Sequence, residues 1–344
     1  MKKLFLLLIV CASALTLSAQ VFVENFATAT SGSDLEGYNG WYKCLKAGDD
    51  LGVSPKIAEG ALFYSGYYGS NVGNACVLDS AIGITSANQR ISTRAVVFAN
   101  GDTLKPIEGQ KIYAAFIVNF SQHSVRSFRD FFTFEGSKTS SSTRGRVFAK
   151  LNTAGTDLYF AVSKNSSTAG VYVESPAIIA GVGINHLLVL CYDGIAGATN
   201  DVISLYIDPD LSLPEAQQTN KLTATDISAN TDYSVTVPFR INLRQRGTGA
   251  QIGGIRVGTS WNSVLLGAGT GISQLNRDYS GISSFGKTIV TNGVGNVRVF
   301  NLAGSEIFSA QTTGKLVTTL NNGLYIVRFT SIDGKTGATK VQLD

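Results

Sequence analysis

The chain has 344 residues, with 28 Lys and Arg against 24 Asp and Glu, for a formal net charge of +4. So small a surplus makes no electrostatic case for nucleic acid or an anionic membrane surface. Two histidines leave no ligand pair for a zinc centre, and 37 glycines with a single methionine argue against sustained helix.

Residues 1–19 read as a secretory leader. Lys2 and Lys3 precede the apolar run Leu4–Val10, small residues follow, and "LSAQ" provides a cleavage point after Ala19. That run is too short to span a bilayer, which takes about 20 apolar residues, and no later stretch does better. The mature protein is therefore expected to be secreted or held at the outer-membrane cell surface. Val10 before Cys11 does not match the small residue of a lipobox. Without Lys2 and Lys3 the bases exceed the acids by two. Cys44, Cys76 and Cys191 remain in the mature chain; a Cys44–Cys76 bridge and buried free thiols both fit the sequence.

Period-2 alternation then dominates. Strands are expected over Arg90–Ala99, Lys111–Phe120, Gly145–Leu151, Asp157–Lys164, His186–Asp193 and Val202–Pro209, each bounded by Gly, Asn, Asp, Ser or Pro. "FRINLRQRG" and "GGIRVGTSW" complete the set, and one short helical piece is expected near Leu213–Lys221. Many short strands without amphipathic helices between them predict an all-β sandwich or jelly roll over residues 20–265. Residues 266–284 are Gly- and Ser-rich and weakly periodic, and read as a linker. Strands resume from Lys287, giving a second small β-sandwich over residues 285–344.

"VRVFNLAGSEIFSA" and "LNNGLYIVRFTSIDGKTGATKVQL" in that second unit resemble the C-terminal sorting domain of the type IX secretion system, found in Bacteroidetes. The matching positions are Val299, Asn301, Leu302 and Gly304, then Gly323, Tyr325 and Val327, then Lys335 and Lys340. The resemblance implies passage across the outer membrane by the type IX machinery, removal of the domain and, in many members, attachment to surface lipopolysaccharide. From the residues alone, Gly304 and Gly323 are expected in turn conformations closed to other residues, and Tyr325 as a core aromatic. The long first unit resembles concanavalin A-like (laminin-G-like) jelly rolls. "FVENFATATSGSDLEGYNGWY" has their E/D-x-F … L-x-G-x-x-G-W form, and "GGIRVGTSWNSVL" their closing strand.

That fold includes glycoside hydrolases, so carboxylates come first. A retaining hydrolase needs two of them about 5–5.5 Å apart; in laminarinase-type members they come from one strand, written Glu-x-Asp. No glutamate here is followed two residues later by aspartate, and catalysis is not expected. His123 and His186 stand apart, no G-x-S-x-G occurs, and the "GAGTG" at 267–271 lacks the Lys-Ser/Thr of a phosphate loop. Calcium is the one ion with candidate ligands, Asn200, Asp201, Asp208 and Asp210 near strand ends, although Asn and Asp are also ordinary turn formers and the turn reading is the plainer one. Sugar binding needs aromatic faces beside hydrogen-bonding groups. Tyr64, Tyr67 and Tyr68 in "LFYSGYYGSN" are the expected surface, with Trp41 either joining them or serving as a packing residue. Arg144, Arg146, Arg244 and Arg246 alternate with apolar or small residues and are expected on a solvated strand face. The sequence thus predicts a glycan-binding or adhesive module. Two other readings stay open: a structural or protein-interaction component, and a hydrolase or lyase with unusual catalytic placement.

Overall fold

The computed structural model describes residues 21–44, 52–83, 89–136, 143–166, 171–226, 232–233, 238–266, 282–291, 293–301, 305–332 and 336–343. The chain divides into two compact units, residues 1–268 and 269–344. The leader, most of the Gly/Ser-rich segment, Leu302, Gly304 and Lys335 lie outside the described residues.

In chain order the strands of the first unit are β1 (Val21–Glu24), β2 (Tyr42–Lys43), β3 (Lys56–Ala58), β4 (Ala75–Leu78), β5 (Arg90–Ala95), β6 (Lys111–Phe120), β7 (Arg129–Glu135), β8 (Thr143–Leu151), β9 (Leu158–Ser163), β10 (Val173–Glu174), β11 (Asn185–Asp193), β12 (Val202–Ile207), β13 (Lys221–Thr223), β14 (Arg240–Gln245) and β15 (Ala250–Gly258). They form two antiparallel sheets. One has eight strands, β13-β12-β11-β6-β15-β4-β3 with β1 also on β15; the other has seven, β10-β9-β8-β7-β14-β5-β2. The fold is the all-β sandwich that the alternation predicts. The helix expected over 213–221 is instead one 3-10 turn, Glu215–Gln217, because extended Pro214 and the start of β13 leave room for nothing longer.

The inward faces of both sheets close on one aromatic-rich core. Phe116 of β6 stacks on Phe132 of β7 at 4.1 Å between centroids, with Phe120, Phe131 and Phe160 edge-on around them. β6 and β11 are buried on both faces. Tyr113, Ala115, Ile117, Leu187 and Val189 point out of the sandwich into a second cluster, covered by α1 (Trp261–Leu265), Tyr67 and the flanking Tyr64 and Leu62. Their near-continuous apolar sequence reflects that double burial. The covering loop is clamped by Tyr67, whose hydroxyl donates to the carbonyls of Ala115 and Gly254 at 3.1 and 2.6 Å. Gly254 sits at φ +59, and a Cβ there would lie 2.2 Å from the Gly69 carbonyl oxygen. Backbone approaches backbone at this point only because both residues are glycine.

The E-x-F … G-W pattern also has a structural cause. Glu24, buried on β1, accepts from the Phe26 N–H at 2.9 Å, from Trp41 Nε1 at 3.0 Å, and from the Arg94 guanidinium on β5. One carboxylate thereby ties the edge of the eight-stranded sheet to the seven-stranded sheet and fixes the 26–41 loop, with Phe22 beneath Arg94 at 4.6 Å. Trp41 is 1% exposed, so it packs and does not reach solvent. Cys44, Cys76 and Cys191 are all buried; burial pushes the Cys76 and Cys191 thiols up, away from reactivity.

The second unit has a three-stranded sheet of β16 (Ile282–Phe285), β17 (Thr288–Thr291) and β20 (Lys315–Val317). Its other sheet runs β19 (Glu306–Thr312), β18 (Gly295–Phe300), β21 (Gly323–Ser331), β22 (Thr336–Leu343). Ile289, Val297, Val299, Val327, Phe329, Val341 and Leu343 make its core. Asn301 closes a turn by exchanging bonds with Ser305, and the Tyr325 hydroxyl donates to the Asn321 carbonyl. Lys340 is exposed on β22. Gly323 departs from expectation: it opens β21 without a positive φ, and a Cβ there would make ordinary contact with the Tyr325 ring. Pairing with Leu343, not a left-handed turn, sets its conformation.

Removing Glu24 strands a mostly buried arginine. Glu24→Ala is expected to cost about 3–5 kcal/mol in urea unfolding, and adding Arg94→Met to it should recover much of the loss. A double variant as unstable as the sum of the two singles would refute the pairing.

Candidate functional site

The outer face of the seven-stranded sheet is polar, contrary to what its depth in the protein leads one to expect. Register places Ser163, Arg146, Thr133, Asn242, Thr93 and Tyr42 side by side across β9, β8, β7, β14, β5 and β2. Their neighbours along the strands, Val162, Val147, Phe132, Phe134, Ile241 and Leu243, point into the sandwich core. Alternation therefore commits the polar row to the other side. Thr143, Glu135 and Arg240 flank this row on one side, and Phe148 and Asp130 on the other. β7 and β8 shift register beside Asp130 and again at Glu135, as bulges do where a strand re-aims a side chain.

Asp130 and Glu135 sit on one strand in opposite electrostatic settings. Asp130 accepts from Arg146 at 2.6 Å, Arg244 at 2.9 Å and Arg246. Burial works against its charge, but the three guanidiniums prevail and hold the carboxyl far below the usual range. For Glu135, burial pushes the carboxyl up to about 7, against the donors Thr143 Oγ1 and the Gly136 N–H. Both Asp130 oxygens carry guanidinium partners, so it serves as a counter-ion and is poorly placed as a nucleophile. The face is rich in hydrogen-bonding groups; among the described residues it does not present the paired free carboxylates of a hydrolase.

Several buried atoms on this face have no hydrogen-bond partner. They are both amide atoms of Asn242, the Thr133 hydroxyl, Arg146 Nε and one terminal nitrogen of Arg240. Asn242 and Thr133 are 0% exposed. Arg240 donates Nε to Thr93 at 3.2 Å and lies 4.8 Å from the Tyr42 ring centre; burial pulls its guanidinium down to about 10. An unmade hydrogen bond costs about 1–3 kcal/mol, so these atoms are free to take water or a polar ligand as a partner.

The residues singled out in the sequence lie elsewhere. Tyr67 is 3% exposed and spends its hydroxyl on the backbone, and Trp41 is buried on Glu24, so neither offers an aromatic face. Tyr68 is 55% exposed, its ring 4.4 Å from Arg256, and Tyr64 is half-buried with its hydroxyl pushed up by burial and by Asp208. Both belong to the loop over the eight-stranded sheet, on the opposite side of the sandwich. The expected calcium ligands do not converge. Asn200–Asp201 precede β12 and Asp208–Asp210 follow it, about 20 Å apart along a six-residue strand. Asp201 accepts from the Tyr192 hydroxyl and the Ile195 N–H, Asp208 from the Leu187 N–H beside His186, and Asp210 from Ser212. They cap turns, and no cluster of three or more His, Cys, Asp or Glu able to hold an ion occurs among the described residues. Arg146 and Arg244, expected in solvent, are buried on Asp130 because their strands are central in the sheet. The signal available in the sequence was the charge at the polar positions of "RDFFTFE", "TRGRVFAKL" and "RINLRQ", strands otherwise apolar enough to be central.

Glu135 ties this face to pH. Its folded pKa of about 7 exceeds the ordinary 4.5, so its contribution is complete below pH 4.5 and is lost as pH rises through 7. The Asp130 contribution runs the other way and is lost only in acid. The wild-type chain should lose up to about 3 kcal/mol between pH 5 and 8 relative to Glu135→Gln, read from paired urea titrations. Parallel curves for the two proteins would refute the shift.

No family model and no curated protein matches the chain. Among solved structures it is similar to an endo-1,3-beta-glucanase from Streptomyces sioyaensis, at 14% identity and a TM-score of 0.38 over 70% of this chain and 96% of that one. A carbohydrate esterase from the Shiga toxin-encoding bacteriophage phi24B is 16% identical, TM-score 0.37, over 69% and 99%. The alginate lyase from Klebsiella pneumoniae is 11% identical, TM-score 0.33, over 65% and 96%. Likeness of this degree carries no argument about activity or ligand.

Proposed function

We propose that the first unit is a glycan-binding module that takes its ligand on the outer face of the seven-stranded sheet. The observation that carries this reading is Asn242, a fully buried amide at the centre of a polar row with neither donor nor acceptor satisfied. Asn242 has no solvent-accessible surface, so a ligand reaches it only when neighbouring side chains move aside; a sugar hydroxyl both donates and accepts, so one vicinal pair can then satisfy the two amide atoms together. Thr133 and Thr93 extend the hydrogen-bonding row, and the Tyr42 ring stands at its end. A second site on the loop over the eight-stranded sheet is favoured by the exposed Tyr68 ring alone.

The two positions separate on a glycan array probed with residues 20–344. Asn242→Ala should reduce binding at least tenfold while leaving the melting temperature unchanged or higher, because the amide it removes is unpartnered. Tyr68→Ala should leave binding intact. The reverse pattern would move the site to the loop. No binding by folded protein would overturn the reading in favour of a structural or protein-interaction component, and release of reducing ends would point to a hydrolase.

We also propose that the chain is exported through its leader and carried across the outer membrane by the type IX machinery through residues 285–344, to be secreted or held at the cell surface on lipopolysaccharide. Support comes from the ordered sequence pattern Asn301, Gly304, Gly323, Tyr325, Lys335 and Lys340. In a type IX-competent host, deleting residues 285–344 should retain the protein in the periplasm; unchanged appearance in the medium would refute the assignment.

A further inference from the structure

We infer that the glycan held on this face is anionic, with a carboxylate or sulfate group seated on Arg240 beside Asn242. This rests on the glycan reading and adds the chemical class of the ligand.

The argument begins with Arg240, which is 7% exposed and pairs with no carboxylate among the described residues. Its polar contacts are a neutral threonine hydroxyl and the face of a tyrosine. A terminal nitrogen has no partner. Across the ladder its register partner is Glu135, the natural counter-ion, yet that carboxyl turns to Thr143 and the Gly136 N–H instead. A buried cation without an anion is among the costliest arrangements in a protein. The contrast with the other end of the same face is sharp, since Arg146, Arg244 and Arg246 there all touch the Asp130 carboxylate.

Among the described residues the face carries four guanidiniums against two carboxylates, and Arg240 is the guanidinium that touches neither carboxylate. A guanidinium presents parallel N–H donors that match a carboxylate or sulfate in a two-point bond. Asn242 shares β14 with Arg240, two residues on and pointing the same way. An anionic group that draws the Arg240 side chain toward it would thus bring the neighbouring sugar hydroxyls toward Asn242 and Thr133, which are closed to solvent before binding. One ligand then answers both the unpaired charge and the unpaired amide. Burial of Arg240 makes the anion a requirement for tight binding rather than a modest aid, because no described carboxylate neutralises it.

The test is isothermal titration of residues 20–344 with four probes: polygalacturonate, its fully methyl-esterified form, a sulfated galactan and a neutral β-1,3-glucan. At least one of the two anionic polymers should bind tenfold or more tightly than both neutral ones, with affinity falling as salt rises. Which anionic polymer binds separates carboxylate from sulfate. Arg240→Gln should remove the preference without lowering the melting temperature, and Arg240→Lys, which keeps the charge but not the fork, should fall between. Equal binding of neutral and anionic polymers, unchanged in Arg240→Gln, would overturn this inference while leaving the glycan reading standing. Absence of binding to all four probes and to a wider glycan panel would remove both.

Discussion

Asp130 organises the outer face of the seven-stranded sheet. One buried carboxylate on β7 draws in Arg146 from β8 and Arg244 and Arg246 from the end of β14, the two strands hydrogen-bonded to it on either side. Three guanidiniums confined to so small a space would repel one another in a medium of reduced dielectric, and the carboxylate makes their convergence tolerable. Because both of its oxygens are occupied, the arginines are held in place, and they frame the short polar row that includes Thr133 and Asn242. Without Asp130 the row would be a set of unrelated polar residues beneath mobile cations.

The two sheets handle their outer faces in opposite ways. The eight-stranded sheet is capped by apolar chain: α1 and the Tyr67 loop complete a second core over β6 and β11, and close backbone contact between Gly69 and Gly254 lets the loop settle there. The seven-stranded sheet buries charge and amide instead. A hydrophobic face can be satisfied by more hydrophobic chain, since that attraction has no direction. A buried amide or guanidinium is satisfied only by a group of the right polarity at the right distance. The first face is thus covered mainly by apolar chain, while the second keeps an amide, Asn242, and a terminal nitrogen of Arg240 that no described residue pairs.

Glu24 shows how a sequence pattern can be legible and yet be assigned the wrong emphasis. The E-x-F … G-W form marked the start of the sandwich, and Trp41 was a natural aromatic to consider for sugar binding. Its indole N–H is taken by Glu24, and the same carboxylate reaches Arg94 on the facing sheet. Tyr67 repeats the lesson, with its hydroxyl spent on two backbone carbonyls. Glycine-flanked aromatics suggest an exposed loop, but here the glycines allow the loop to lie flat on the sheet, which buries the ring. Of that aromatic group only Tyr68 keeps an open face, and it does so above Arg256.

By itself the sequence determined the architecture. Alternation with period two is a local property, readable within five to ten residues, and it was enough to predict an all-β sandwich and the positions of most of its long strands, though not β7. It placed Arg146 and Arg244 on a solvated face, and it singled out neither β7 (Arg129–Glu135) nor Asp130, Glu135 and Arg240. What it could not supply was which of them meet. Arg240 bonds to Thr93, 147 residues away along the chain, and Asn242 stands between β5 and β7, both from the earlier half of the first unit. Strand order and register decide such neighbours, and they are set by how whole faces pack, not by any short stretch of residues. Tertiary structure therefore decided that a supposedly solvated arginine stripe is a buried polar face, because only there do the unpaired amide and the unpaired charge come to lie together.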